Sequence, residues 1–437
     1  MATPGTGAAP VGVAPGTGAA PGPADRSIAR HWRLVLVIGG LSLFGPLCVD
    51  AYLPALPQIG RDLGATPSAV QLSVTGCLIG IAVGQLVVGP VSDRAGRRRP
   101  LLVGVAAFVL SSLACAAAPN VLALDACRLV QGLSGAAGIV IARALVRDLF
   151  HGVQAAKFFS ALMLVTGLGP ILAPQLGAAV LQATSWRGIF VMLAAVGAVL
   201  LVVSAVKVPE GLPPERRRSG GARSAGGSLA TVCRDRTVVG YALIGSLCFG
   251  AIFAYVAGSP FVLQNVYGLS PQGFSLAFAA NGAGLVLGAQ VNGRLVHRLG
   301  SEHLLTLGTA VMAAGGVAFL VAAATGWGGL PVALVTLFTV LFGCGFINPN
   351  ALALAMQHRP DAAGSASALF GCAQFLLGAL AAPLVGLGGS HNAVPLGIVV
   401  AVLALGAAGT RICWHPAAGP VGGPDIGPVG EAPLRAR

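Results

Sequence analysis

An acidic residue, Asp50, lies in the apolar stretch LSLFGPLCVDAYLPALPQIG, residues 41–60. Pro54 and Pro57 follow it within two turns, and prolines interrupt a regular helix. A carboxylate in such a run must be hydrogen-bonded, ion-paired or protonated, because an isolated charge away from water is costly. In a soluble core we would expect a hydrogen-bond partner for Asp50. In a membrane, a carboxylate at this depth indicates that the residue takes part in the mechanism of the protein.

The amino-acid composition indicates a membrane protein. Of the 437 residues, 55% are hydrophobic and only 9% are charged, and the mean hydropathy is +0.84; ordinary globular domains carry about 25% charged residues. A helix needs about 20 apolar residues to cross the roughly 30 Å hydrocarbon layer, and each span must satisfy its own backbone. The sequence predicts twelve spans, at residues 34–56, 68–90, 101–118, 121–144, 160–182, 187–206, 238–262, 273–295, 304–324, 331–355, 366–388 and 393–413.

The basic residues predict the orientation of these spans. If the N-terminus is cytoplasmic, the outer loops keep only Arg61 and Arg187. This asymmetry fits the positive-inside rule and places both termini in the cytoplasm. The inner loops then hold Arg26, Arg30, Arg33, Arg94, Arg97, Arg98, Arg99, Arg143, Arg147, Lys157, the basic residues of 207–236, Arg294, Arg298 and Arg359. The net charge of +13 therefore does not indicate a nucleic-acid partner, since no basic patch lies on a polar domain.

A hydrophilic stretch divides the spans into two groups of six. The predicted organisation is a disordered cytoplasmic tail at 1–32, a first six-helix bundle at 33–206, a cytoplasmic linker at 207–236, a second bundle at 237–413 and a disordered tail at 414–437. The nine cysteines form no CxxC pair and no metal-ligand spacing. We therefore interpret them as small apolar residues and predict no metal site.

The two halves share a short motif. VGPVSDRAGRRRPLL follows the second span, and NGRLVHRLGSEHLL follows the eighth. At a constant offset, three positions match: Gly89 with Gly293, Arg94 with Arg298, and Gly96 with Gly300. Parallel six-helix repeats of this kind are typical of transporters whose substrate cavity lies near the membrane midplane, between halves that rock against each other.

The loop segment resembles a known family motif. GPVSDRAGRRRPLL is similar to the cytoplasmic loop motif of the major facilitator superfamily, with Gly89, Asp93, Arg94, Gly96 and Arg97 at its key positions. Four segments together resemble the bicyclomycin and chloramphenicol resistance branch of drug:proton antiporters, called Bcr/CflA. They are DAYLPALPQI (50–59), VQLSVTGCLIGIAVGQLVVGPVSDRAGRRRP (70–100), RLVQGLSGAAGIVIARALVRDLF (128–150) and GLGPILAPQLGA (167–178).

The resemblance implies a fold and a function. The expected fold is that of an all-α membrane protein, the major facilitator fold, with twelve transmembrane helices in two six-helix bundles. The expected function is export of amphipathic small molecules, such as chloramphenicol-like or bicyclomycin-like antibiotics, across the bacterial cytoplasmic membrane in exchange for protons. The proton gradient would supply the energy, with no cofactor. The expected partners are the drug, protons and the lipid bilayer, and we expect a monomer.

Depth in the membrane predicts a partner for Asp50. A charge at the bilayer centre costs roughly 2.5–3.5 kcal/mol, so this carboxylate should face the bundle interior or a wet cavity. Asp50 and Arg128 each lie about seven residues from the outer ends of their spans, and at ~1.5 Å per residue their depths agree. We therefore predict an Asp50–Arg128 pair, and the resemblance implies that this arginine takes part in proton coupling. A purely structural ion pair is the alternative. Asp125, one turn before Arg128, would either share the arginine or contact outer water.

Two motifs carry conformational predictions. Asp93 should cap a helix or bridge to a nearby cation, and the resemblance implies a cytoplasmic latch that is made and broken in each cycle. His297 occupies the corresponding position in the second half, so the latch motif is incomplete there.

In the fifth span, small residues and prolines should permit close helix contact and a bend. This second motif resembles the antiporter signature, and a merely structural kink is the alternative; it comprises Gly167, Gly169, Pro170, Pro174 and Gly177.

Polar and aromatic residues within the spans are the candidates for the substrate cavity. An apolar site with few polar groups suits amphipathic, drug-sized molecules, although each residue could serve packing instead. The candidates are Tyr52, Gln71, Gln131, Gln175, Tyr255, Asn281, Asn348, Asn350 and Gln374.

Other functions fit the sequence less well. An exporter of an endogenous metabolite or a self-made antibiotic, also driven by protons, remains open. An intramembrane enzyme would need a nucleophile, base or metal cluster at depth, but the seven histidines lie in loops or at termini. A pump driven by ATP is disfavoured because no GxxxxGK[ST] phosphate loop is present.

Overall fold

The computed structural model describes residues 37–149, 152–212, 232–359 and 362–413. These residues form helices and turns, without a strand among them. Ten helices in the described ranges are long and apolar enough to cross a membrane. The prediction of an all-α membrane protein is therefore confirmed. The predicted tails, and most of the predicted linker, lie outside the described residues.

The first half contains six helical elements. In chain order they are α1 (Val37–Asp62), α2 (Pro67–Ala95), α3 (Arg98–Ala116), α4 (Val121–Leu149), α5 (Gly152–Ala183) and α6 (Trp186–Lys207).

The first of these elements, α1, is broken beside Asp50. A regular segment, Phe44–Asp50, is followed by a 3₁₀ turn at Leu53–Ala55 and a second regular segment at Leu56–Asp62. Pro54 and Pro57 occupy the first turns of the two later segments, where the missing N–H costs no helical hydrogen bond. The prolines therefore end the helix at Asp50, as their positions predict.

The second half contains the corresponding elements. In chain order they are α7 (Arg236–Phe261, continued by a π turn at Val262–Val266), the helical element Pro271–Thr325, α10 (Gly329–His358), α11 (Ala363–Val385) and α12 (Val394–Cys413). The element Pro271–Thr325 has 55 residues and non-helical dihedrals at Gly300. We treat it as two helices, α8 (271–299) and α9 (301–325). This division is consistent with the twelve predicted spans.

A pair of glycines confirms the repeat between the halves. Gly96 turns α2 into α3 with φ 88° and ψ 168°, and Gly300 turns α8 into α9 with φ 75° and ψ 158°. Residues other than glycine essentially never adopt this combination of dihedrals. The two positions that align in the sequence therefore make the same turn.

Four predicted helix ends were wrong by five residues or more, and they are the ends of α1, α2 and α4 and the beginning of α5. Helix α4 continues to Leu149 rather than ending at 144, and α5 begins at Gly152 rather than at 160. Arg147 and Lys157 consequently lie in helices and not in a loop. Arg143, which is inside the predicted span at 121–144, also lies in a helix, so counting it among the inner-loop residues was wrong. The hydropathy of a segment falls where the lipid ends, but a helix can continue into the headgroup region and water.

Glycines bring helices of the same half into backbone contact. A Cβ at Gly80 of α2 would overlap the carbonyl oxygen of Leu129, and one at Gly132 of α4 would overlap that of Cys77. In the second half, a Cβ at Gly288 of α8 would overlap the carbonyl of Phe342 in α10. Small residues permit this packing, which is the main source of helix association in lipid.

The two halves are joined by hydrogen bonds at one end. Six link them in the described residues, and all lie near the ends that the charge distribution assigns to the outside. The bonds run from Ser68 to the Pro383 carbonyl (3.0 Å), Gln71 to Ala257 (3.1 Å), Thr75 to Ala379 (2.9 Å), Gln264 to Pro54 (3.1 Å), Gln272 to Ala178 (3.2 Å) and Ser275 to Pro174 (3.0 Å). We name this set the outer seal. The molecule is therefore closed at its outer ends.

Candidate functional site

A cavity of about 380 Å³ lies between the two halves. Its two walls differ in chemistry. The first half contributes the charged and polar side chains of Ser42, Asp50, Gln85 and Arg143. The second half contributes Asn348 and an aromatic wall, which consists of Phe249, Phe253, Tyr255, Phe278 and Phe375. An apolar cavity with a few polar groups suits a drug-sized amphipathic molecule.

Asp50 lines this cavity at the break in α1. Its side chain is 6% exposed, and no hydrogen bond or ion pair joins its carboxylate to another described residue. Ionisable residues inside a membrane normally pair or face a wet cavity. Asp50 therefore agrees with the expectation that this carboxylate faces a cavity in the bundle interior.

Arg128 of α4 is completely buried in a cage of aromatic, thiol and amide groups. Its Nη1 donates to Gln131 Oε1 at 2.5 Å and to Cys48 Sγ at 3.4 Å. The guanidinium carbon lies 4.2 Å from the centre of the Tyr52 ring and 5.8 Å from that of Phe190. Such cation–π contacts stabilise a desolvated cation. Nε and Nη2 have no hydrogen-bond partner among the described residues.

The predicted Asp50–Arg128 pair is not formed in this structure. Cys48 and Tyr52, four residues apart, contact the arginine from one face of α1. Asp50 lies midway between them, roughly 200° around the helix from either, and faces the cavity instead. The prediction used the rise per residue, which fixes depth, but depth does not determine the direction of a side chain.

The cysteines near Arg128 form polar contacts in addition to packing contacts. Cys48 and Cys77 join α1 to α2 with a sulfur–sulfur distance of 3.2 Å, and Cys48 also accepts from Arg128. Cys115 lies 3.9 Å from Gln131 Oε1, and Ser112 accepts from Gln131 Nε2 at 2.7 Å. The interpretation of these cysteines as apolar packing residues was therefore incomplete.

Asp125 is half-buried one turn from Arg128. It forms no ion pair with that arginine, and its Oδ1 has no hydrogen-bond partner in the described ranges. Its side chain does not line the cavity. A role for Asp125 in proton coupling remains a prediction.

Arg97 is the centre of the cytoplasmic loop motif. It donates to Asp93 at 2.5 Å, to Ser92 at 2.8 Å and to Asp148, at the end of α4, at 2.8 Å. Its backbone N–H donates to Glu210 at 2.6 Å. Burial lowers the pKa of Arg97, but the hydrogen bonds that it donates to Asp148 and Asp93 outweigh burial and raise that pKa above the ordinary value. Arg97 therefore stays charged and ties three elements of the first half together.

The expected bridge between Asp93 and a nearby cation is thus present, and its partner is Arg97. Gly96 makes the turn described above, whereas Arg94 is exposed and a Cβ at Gly89 would meet no atom within 4 Å. A latch that opens and closes remains a prediction.

The second half has its own ion pairs at the helix ends that the charge distribution assigns to the cytoplasm, and the sequence did not reveal them. Glu302 pairs with Arg411 at 2.5 Å and accepts from Tyr241. Asp235 caps α7 and lies 3.5 Å from His358 at the end of α10. These residues hold helix ends of the second half together, although His297 replaces the motif aspartate.

The glycines of the α5 motif bring this helix against α1. A Cβ at Gly177 would overlap the carbonyl oxygen of Ala51, and one at Gly169 would lie 2.5 Å from two carbons of Pro46. Pro170 lines the cavity, and the carbonyl of Pro174 accepts from Ser275 of the second half. The predicted close approach is therefore present next to Asp50.

This contact makes a testable difference between two glycines of the motif. We expect Gly177→Ala to lower the melting temperature of the purified protein, because neither backbone can easily move away from the added carbon. A Cβ at Gly167 would meet no atom within 4 Å, so Gly167→Ala should keep or raise stability, since alanine favours a helix by about 1 kcal/mol over glycine. Equal melting temperatures for the two variants would contradict the contact.

Comparison with known proteins shows the family to which this chain belongs. The model of the Major Facilitator Superfamily matches residues 34–383, more than half of the chain. The chain belongs to this superfamily. The transporter is 40% identical to the uncharacterized MFS-type transporter YdgK of Bacillus subtilis, over 85% of this chain and 92% of that protein. It is 32% identical to the bicyclomycin resistance protein homolog of Haemophilus influenzae, over 83% and 91% of the two chains.

Solved structures confirm the fold. The transporter superposes on a bacterial homologue of the human lysosomal transporter Spinster, in an inward-facing and unoccupied conformation, with a TM-score of 0.71. The match covers 91% of this chain and all of the other at 13% identity. The predicted major facilitator fold, and the resemblance to the bicyclomycin and chloramphenicol resistance branch, are thus confirmed.

Two of the nine predicted cavity residues line the cavity, and two others form hydrogen bonds with them. Tyr255 and Asn348 line it. Asn281 donates to the Tyr255 hydroxyl at 3.2 Å, and Gln374 donates to Asn348 Oδ1 at 2.8 Å. These two amides therefore hold cavity side chains in position from behind.

The other five predicted cavity residues do not line it. Tyr52 and Gln131 belong to the Arg128 cage, and Gln71 belongs to the outer seal. Asn350 donates to Asn292 at 2.5 Å within the second half, and Gln175 is half-buried away from the cavity. In a bundle of helices, polar side chains also join helices to each other, so polarity alone does not identify a ligand site.

Sequence reasoning missed several residues of the cavity. Arg143 was counted with the inner-loop cations although it lies inside the predicted span 121–144, and Gln85 and Ser42 were not considered. The aromatic wall carries a signal that could have been used, because Phe249, Phe253 and Tyr255 cluster within two turns of α7.

Proposed function

We propose that this transporter exports amphipathic, drug-sized molecules from the bacterial cytoplasm in exchange for protons. The observation that carries the proposal is the carboxylate of Asp50 in the wall of the central cavity, where no described residue pairs with it. We further propose that it works as a monomer in the cytoplasmic membrane, with both termini in the cytoplasm. The name of the Haemophilus influenzae relative, a bicyclomycin resistance protein homolog, supports a drug as substrate.

Export of the substrate would be coupled to entry of protons because the substrate and the proton compete for the carboxylate of Asp50. When the cavity faces outward, Asp50 takes up a proton on a carboxylate oxygen. When the cavity faces the cytoplasm, substrate that contacts Asp50 favours the charged form, and the proton leaves to the cytoplasm. The outer seal must then break before substrate can leave. Arg128, on α4, packs against the face of α1 that is opposite to Asp50. It acts as a fixed cation in the bundle interior.

The proton gradient can drive this exchange without a cofactor. Each unit of pH difference supplies about 1.4 kcal/mol per proton, and 100 mV of membrane potential supplies ~2.3 kcal/mol per charge. One or two protons per cycle would therefore support substantial accumulation outside the cell.

Efflux in living cells tests the proposal. We expect expression of the chain in a bacterial host that lacks its own drug pumps to lower accumulation of chloramphenicol or bicyclomycin several-fold. An uncoupler that abolishes the proton gradient should restore accumulation to the level of cells with an empty vector. Export that persists in the presence of the uncoupler would contradict proton coupling. Resistance to none of a broad panel of drugs would favour an endogenous metabolite as substrate.

A further inference from the structure

The cavity contains a second charged residue, Arg143, which has no partner among the residues that the structure describes. It lies on α4, six residues before the end of the helix at Leu149, and its side chain is exposed to the cavity. No hydrogen bond, ion pair or ring contact joins it to any residue that the structure describes. Arg147, one turn further, lies 3.6 Å from Asp148. Arg143 is therefore a cation available to a ligand.

Arg143 and Asp50 are separated along the membrane normal. Gly45 of α1 lies against Ile139 of α4, where a Cβ would be 3.1 Å from the Ile139 side chain. Arg143 is one turn further toward the cytoplasm on α4, which places it near the level of Ser42 because the helices are antiparallel. Eight residues separate Ser42 from Asp50, and this corresponds to ~12 Å at 1.5 Å per residue. The two charges therefore lie too far apart to neutralise each other in a direct ion pair.

The aromatic wall lies across the cavity from these charges. The rings of Phe249 and Phe253 are 4.7 Å apart, and Phe249 and Phe375 meet edge to face at 5.4 Å. Tyr255 and Phe278 stack at 5.3 Å. A flat aromatic molecule would pack well against such a surface. One wall thus offers two separated, opposite charges and the other offers rings.

We propose that the preferred substrates are aromatic zwitterions, in which a carboxylate binds Arg143 and an ammonium group about a nanometre away binds Asp50. The guanidinium presents paired N–H donors that match a carboxylate. This inference rests on the proposed function and deepens it, because an ammonium group at Asp50 would compete directly with the proton. Arg143 then selects the anionic end of the substrate at the cytoplasmic side of the cavity.

Norfloxacin and two singly charged derivatives test this assignment. Norfloxacin carries a carboxylate and a piperazinium group; its methyl ester keeps only the cation, and N-acetylnorfloxacin keeps only the anion. Binding to the purified full chain in detergent is measured from the anisotropy of the quinolone fluorescence, without any gradient. The wild type should bind norfloxacin at least tenfold more tightly than either derivative.

Substitutions then assign each charge to its partner. Arg143→Gln should weaken norfloxacin about tenfold more than it weakens the methyl ester, and Arg143→Lys should recover part of the loss. Asp50→Asn should weaken norfloxacin about tenfold more than it weakens N-acetylnorfloxacin. Arg147→Gln is the matched control, since Arg147 is 67% exposed on the same helix and pairs with Asp148; it should bind norfloxacin as the wild type does.

Several results would overturn the inference. They are failure of the wild type to prefer norfloxacin over its derivatives, and equal losses for norfloxacin and the methyl ester in Arg143→Gln. If norfloxacin binds as expected but export in cells is insensitive to an uncoupler, the proposed function fails and this inference stands. If export is proton-driven but Arg143→Gln binds norfloxacin normally, this inference alone fails.

Discussion

Replacement of Asp50 with asparagine should abolish export driven by a proton gradient. Asparagine keeps the size of the side chain and can donate a hydrogen bond as a protonated carboxyl group does, but it cannot release a proton. We expect uptake of chloramphenicol into inverted vesicles, driven by respiration, to fall at least tenfold in Asp50→Asn. Binding of chloramphenicol to the purified variant should remain measurable, because the aromatic wall is intact.

The same substitution at the end of the same element is the control. Asp62 accepts a hydrogen bond from Trp186 Nε1 at 3.0 Å, and an asparagine oxygen can accept it equally well. Asp62→Asn should therefore transport as the wild type does. Full proton-driven export by Asp50→Asn would remove Asp50 from the mechanism.

The second large effect is expected at Arg128, even for a substitution that keeps the charge. Lysine cannot reproduce the planar guanidinium that donates to Gln131 and Cys48 while packing on the ring of Tyr52. Its strongly hydrated ammonium would lie in a site with no access to water. We expect Arg128→Lys to lower the melting temperature by several degrees and to reduce export at least tenfold.

Arg187 provides a matched control for this substitution. It also lies 4.2 Å from an aromatic ring, that of Trp186, and donates to the carbonyl of Ala118 at 3.0 Å. It is half-buried at the predicted outer ends of the helices, so a lysine there could remain hydrated. Arg187→Lys should change stability and export little. If Arg128→Lys behaved in the same way, the cage around Arg128 would be dispensable.

The fold could be predicted well because it depends on properties that are local in the sequence. Low charge and long apolar runs identify membrane helices, since lipid allows few other structures. The constraint at Gly96 and Gly300 is equally local, because both must adopt dihedrals that only glycine tolerates. The bridge at Asp93 involves a partner four residues away, Arg97, and was therefore also within reach.

The site could be predicted only in part, because it depends on the directions in which side chains point. The depths of Asp50 and Arg128 agree, yet Asp50 points into the cavity, whereas Arg128, on α4, contacts the opposite face of α1. The cavity position of Arg143 depends on the direction of its side chain on α4, which the positive-inside rule does not specify. Gln71 and Gln131 satisfy every sequence criterion for a ligand site but bind a backbone carbonyl and an arginine instead.

The kind of acceptor in the outer seal determines which of its residues can change without loss of a hydrogen bond. Every acceptor in it is a main-chain carbonyl, which has two lone pairs and can keep its helical hydrogen bond while accepting a second one. The side chains of Ala178, Ala257 and Ala379 contribute no atom to these hydrogen bonds. The polar contacts that close the outer ends therefore depend on the identity of the six donor residues, whereas an accepting residue contributes only the position of its backbone.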